Sequence, residues 1–100
     1  MEQVVDNKIY NTRTARLIAL VNEFHDSFSD YSEELYITGK GQYFLYGSGG
    51  AMSQYAKQYK GGSSGGSKIM LYTKEQAQSF LLENQLVSEY KKEFGEIEEG

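Results

Sequence analysis

The chain has no cysteine, no proline, no tryptophan and a single histidine in its 100 residues. Without cysteine it can form no disulfide, offer no thiol nucleophile and hold no thiolate zinc site or iron–sulfur cluster. With one histidine and no cysteine, a transition-metal site is not expected. His25 beside Asp26 and Asp30 lacks the ordered oxygen ligands and central glycine of a calcium loop, so it reads as a surface histidine, and neither a metal nor a cofactor is expected. Ser48 and Ser53 would act as nucleophiles only beside a positioned base, and nothing in the sequence places one there. The chain is therefore expected to be no enzyme. Long apolar runs are also missing. The longest, Leu17 to Val21, is far shorter than the ~18 residues of a spanning helix, and residues 1–20 lack the order of a signal peptide, so the expectation is a protein of the cytoplasm with no membrane partner.

The formal net charge of −4 conceals a division. Residues 1–34 carry seven acids against three bases, residues 35–74 five lysines and no acid, and residues 75–100 seven acids against two bases, giving −4, +5 and −5. The centre holds Lys40, Lys57, Lys60, Lys68 and Lys74 together with six of the nine tyrosines. Two acidic flanks enclose a basic, tyrosine-rich middle.

Local patterns predict the elements. Residues 1–7 read as a polar tail, and Lys8-Ile9-Tyr10 as a short edge strand. Ala15, Ile18 and Val21 recur at helical spacing, which predicts a helix over about Arg13–Phe24, followed by an ordered loop through Ser32. Leu35-Tyr36-Ile37-Thr38 and Tyr43-Phe44-Leu45-Tyr46, separated by Gly39-Lys40-Gly41-Gln42, predict a β-hairpin. Residues 51–59 have the composition of a short helix, and residues 61–67, all Gly or Ser, that of a flexible loop. Ile69 to Tyr72 reads as a further strand. Thr73-Lys74-Glu75-Gln76 matches a capping box opening a helix that buries Ala77, Phe80 and Leu81. A last helix carries Leu86, Val87, Tyr90 and Phe94 and ends at Gly95, with an acidic tail over residues 96–100. The expected fold is one α+β domain over residues 1–100, a small antiparallel sheet of three or four strands with a central hairpin, packed by three or four helices.

Three constellations are candidates for binding. Glu23, Asp26, Asp30, Glu33 and Glu34, if brought together, form an acidic face able to imitate nucleic-acid phosphates. Lys57, Tyr59 and Lys60 offer the opposite chemistry: cations for phosphates and rings for unpaired bases, with Tyr43 and Tyr55 as further stacking candidates. The turn at Gly49 and Gly50, placed between a strand and a predicted helix, could present backbone N–H groups to an anion. A chain with faces of opposite sign could also pair with a second copy as a homodimer.

The segments Tyr10-Asn11-Thr12-Arg13-Thr14-Ala15, Glu34-Leu35-Tyr36-Ile37-Thr38-Gly39-Lys40-Gly41 and Tyr43-Phe44-Leu45-Tyr46-Gly47-Ser48-Gly49-Gly50-Ala51-Met52-Ser53-Gln54-Tyr55 resemble a family of small proteins carried by prophages and conjugative elements of Gram-positive bacteria. The likeness covers roughly residues 8–98. It implies an accessory product acting in the host bacterial cell, of the kind that includes anti-CRISPR inhibitors of Cas9 and other anti-defence factors. The implied partner is a host defence nuclease of the Cas9 type or its guide RNA complex. Direct single-stranded nucleic-acid binding through the Lys- and Tyr-rich centre is the alternative.

Overall fold

The computed structural model describes residues 1–23 and 29–97. It is a small α+β structure in which eight strands precede two helices. Four strands form the main sheet: β3 (Arg16–Glu23), β4 (Tyr31–Ile37), β5 (Tyr43–Gly49) and β8 (Gly66–Tyr72), antiparallel in that order. The expected hairpin is its centre. Leu35 faces Leu45, Tyr36 faces Phe44 and Ile37 faces Tyr43, with Gly41 at φ +88° closing the turn.

Both faces of this sheet are covered. On one, Ala19, Leu35 and Leu45 pack against Ala77, Phe80 and Leu81 of α1 (Lys74–Glu83). Tyr90 and Phe94 of α2 (Val87–Phe94) and the preceding Leu86 close the edge of that layer. On the other face, Phe44 is stacked by Tyr36 at 5.2 Å between ring centroids and met edge-on by Tyr10 at 5.7 Å. Tyr10 arrives on a ribbon made of β1 (Glu2–Val5) and β2 (Lys8–Asn11), joined through Asp6 and Asn7, both at positive φ. Side-chain alternation at period two thus gives the sheet two separate cores.

Helix α1 is capped as its sequence dictates. Thr73 accepts from the Gln76 amide at 3.1 Å, and the Gln76 side chain accepts from the Thr73 amide at 2.8 Å. At the other end of α1, Gln85 takes φ +58°, and the Leu86 and Gln85 amides donate to the Leu81 and Leu82 carbonyls. Gly95, at φ +95°, ends α2. Val87 differs from expectation: it is exposed, and only Leu86, Tyr90 and Phe94 turn inward.

Four further expectations are corrected. Residues 1–7 are a strand and a tight turn rather than a tail. The stretch Arg16–Glu23 is strand β3 rather than a helix, because pairing with β4 satisfies its backbone and places Ala19 and Val21 on Leu35 and the helices. Residues 51–59 are a run of turns leading into β6 (Lys57–Tyr59), not a helix. Residues 61–67, expected to be a loop, supply β7 (Gly62–Ser64) and the first residues of β8. The main sheet has four strands as expected, two small ribbons are added to it, and the helices are two rather than three or four among the described residues. No helix among the described residues is long and apolar enough to cross a membrane.

Candidate functional site

Between β5 and β8 the chain makes an excursion, and its two halves differ. Residues 50–56 form a strap folded onto the end of the sheet, and β6 and β7 form an arm that pairs only with itself.

The strap explains the glycines of the Gly47-Ser48-Gly49-Gly50 run. A Cβ on Gly47 would lie 2.0 Å from the Tyr55 ring, and one on Gly49 would lie 2.3 Å from the Ser53 hydroxyl. Tyr55 is buried, its ring end occupying the place of a Gly47 side chain between Glu33 and Lys68, the register partners of Gly47 on either side. Its hydroxyl donates to the Glu33 carboxylate. Burial first, and then that hydrogen bond, push the Tyr55 phenol well above its ordinary value. Ser53 stitches the strap together, its hydroxyl donating to the Gly50 carbonyl at 2.8 Å and accepting from the Tyr55 amide at 3.2 Å.

This packing removes the expected anion-binding turn. The Gly50 amide donates to the Asp30 carbonyl at 2.9 Å, Gly49 is a strand residue paired on both sides, and no helix follows them. The N–H groups that an anion would need are held by the fold.

The acidic face is also dissolved, because consecutive residues of a strand point to opposite faces. Glu33 lies on the helix-covered face with Tyr55, and Glu34 on the ribbon-covered face, where it accepts from the Tyr36 hydroxyl at 2.6 Å. Burial, reinforced by this bond, raises the Tyr36 phenol strongly. Glu23 ends β3 opposite Tyr31, Asp30 precedes β4, and both are half-buried. Asp26, like His25 beside it, lies outside the described residues. Glu33 and Glu34 are half-buried acceptors on opposite sides of the sheet, so the set is split: Glu23 stays on the face of Glu33 and Glu34 is separated from both.

The arm is the reverse case. Lys57, Tyr59 and Lys60 are all exposed, with Tyr59 at 60%. Alternation puts Lys57 and Tyr59 on one face of β6, and their partners across the ribbon, Ser64 and Gly62, are too small to cover them. One face of the Tyr59 ring lies over Gly62, at 3.8 Å from where a Cβ would stand. The turn is Lys60-Gly61, with Gly61 at φ +100°. At the root, the Lys57 stem packs beside Gly66, and the Ser63 hydroxyl fixes the arm to the strap through the Ala51 carbonyl at 2.8 Å. Lys68, exposed on β8, shares the face and edge on which Gly66 stands.

The other tyrosines of the basic centre are structural. Tyr43 packs on Phe94 with ring centroids 5.7 Å apart, Tyr72 meets Phe80 at 6.4 Å, Tyr46 packs against the core that holds Phe44, and Tyr36 and Tyr55 are buried. Tyr43 and Tyr55 are thereby removed as stacking platforms, and Tyr59 is the one fully offered. Sequence composition gave the centre its sign but could not separate these roles, which depend on strand phase and on the strap.

No protein-family model, curated protein or solved structure matches this chain. Among the described residues no group of three or more His, Asp or Glu is placed to hold a metal ion.

Proposed function

We propose that this is a non-enzymatic accessory protein of a mobile element that inhibits a host defence nuclease of the Cas9 type, and that its contact element is the β6–β7 arm. The observation that carries this reading is the arm itself. It is a tethered two-stranded ribbon whose larger side chains, Lys57, Gln58, Tyr59 and Lys60, are all exposed, in a stretch with no acid from Leu35 to Lys74. Stability does not require such an element, since a two-stranded hairpin buries little by itself. The sequence resemblance supplies the class of target, and the internal roles of Glu33 and Glu34 move the contact from the acidic residues to the basic arm.

The test is target cleavage by Cas9-type nucleases loaded with guide RNA. Wild-type protein is expected to slow cleavage, the triple variant K57A/Y59A/K60A to lose that effect, and the pair E23Q/D30N to keep it. Absence of inhibition across several nuclease types overturns the reading.

A further inference from the structure

The arm carries one aromatic ring, no aliphatic side chain and two cations, with serine and glycine opposite them. Interfaces with proteins ring an aromatic or arginine anchor with contacts that exclude water, and Tyr59 has only lysine, glutamine, serine and glycine around it on the arm. What the arm presents is a π-face and positive charge. Lys57 and Tyr59 follow one another along the same face at roughly 7 Å, Lys60 stands at the tip, and Lys68 continues the cationic track onto β8. Glu33 stands two strands from Lys68 across Gly47, with the buried Tyr55 ring lying between the two and donating to the carboxylate.

We infer that Lys57, Tyr59, Lys60 and Lys68 form a short binding track for single-stranded nucleic acid, with phosphates on the lysines and one unstacked base on the open face of Tyr59. The inference rests on the reading of the arm as the contact element and names its partner as nucleic acid rather than the nuclease polypeptide. An unpaired strand fits better than a duplex, since a lone exposed ring can stack only on a base that is free of its neighbours. Flexible lysine ammonium groups act here as point charges for phosphates, and a ring stacks on any base, so recognition is tolerant of sequence. Gly61, with open space where a side chain would stand, lets the strand backbone approach the tip of the ribbon closely.

The experiment is fluorescence anisotropy of the full chain, without any nuclease, against a labelled oligothymidylate of about a dozen nucleotides, titrated over a range of salt. Wild-type protein binds at low salt, with a slope of log affinity against log salt near −2 from about three phosphate contacts at ~0.7 each. Y59A weakens binding roughly five- to 100-fold, the worth of one base stacked on an aromatic ring, whereas Y59F changes it little. K57Q/K60Q flattens the slope by about 1.4. Arm side chains lie outside both cores, so each variant should melt with wild type; a variant that does not is replaced by K68Q, which is expected to weaken binding and lower the slope without touching the arm. No binding at low salt, equal affinity for a duplex of the same length, or Y59A equal to wild type overturns the proposal. Failure here with inhibition still lost in K57A/Y59A/K60A assigns the arm to a protein surface and leaves the function standing. Oligonucleotide binding without inhibition does the opposite.

Discussion

At the scale of single residues, tyrosine performs two opposed tasks, and the difference lies in what stands across the strand. Tyr55 has a glycine beneath it and a carboxylate at its hydroxyl, and becomes a buried strut. Tyr59 also has a glycine opposite, but no second layer above it, and stays open. The strut can be tested by coupling. G47A forces the Tyr55 ring to move and should cost about 1–3 kcal/mol, and Y55F, which removes a bond to a charged acceptor, about 1–3 kcal/mol. The double variant should cost clearly less than their sum in urea denaturation, because both act on one contact.

The raised phenols give a second residue-scale prediction. Tyr36 and Tyr55 ionise in the folded chain only above the ordinary tyrosine range, mainly through burial and then through their bonds to Glu34 and Glu33. A raised value means that the unfolded chain gives up its protons first. The contribution is therefore complete below about pH 10 and is lost as pH climbs from there toward the folded values. Absorbance titration should show a late tyrosine fraction that appears only with unfolding. Y36F and Y55F should each shrink that late fraction.

At the scale of elements, the C-terminus of α1 carries a glutamine where the chain must turn left-handed. Glycine has no Cβ penalty there, so Q85G should stabilise the protein by about 0.5–1 kcal/mol, read as a shift of the urea midpoint with unchanged slope. This end also shows what the sequence makes legible. The Thr73 capping box, the Gly95 stop and the Leu35/Leu45 hairpin depend on neighbouring residues and were readable. Strand β3 was not, because the register with β4 shifts between Leu17 and Ala19. That bulge at Ile18 interrupts the two-residue alternation and leaves Ala15, Ile18 and Val21 at a false helical spacing. Strand β7 was hidden for another reason. Gly62, Ser63 and Ser64 have little strand preference of their own and are held by Lys57, Gln58 and Tyr59 across the ribbon.

At the scale of the molecule, folding leaves the basic centre exposed and draws in only part of the acidic flanks, since Glu2, Asp6, Glu75, Glu83 and Glu96 stay at the surface. The acids around β4 are drawn inward as acceptors for tyrosines, and Glu93, further on, pairs with Arg16 to tie α2 to β3. The lysines of the centre stay outside. A charge pattern cannot reveal this from sequence, since consecutive acids such as Glu33 and Glu34 are separated by the sheet and distant lysines such as Lys57 and Lys68 are brought to one edge by the strap. The surface that can meet a polyanion is therefore built by topology, on an excursion between two neighbouring strands.

The most direct test of that claim is amide chemical-shift mapping of the isotopically labelled full chain as a short single-stranded oligonucleotide is added at low salt. The account predicts that the largest shifts fall on residues 57–62 and on Lys68, with Tyr31 to Glu34 unmoved. Shifts centred on β4, or none on the arm, would contradict it.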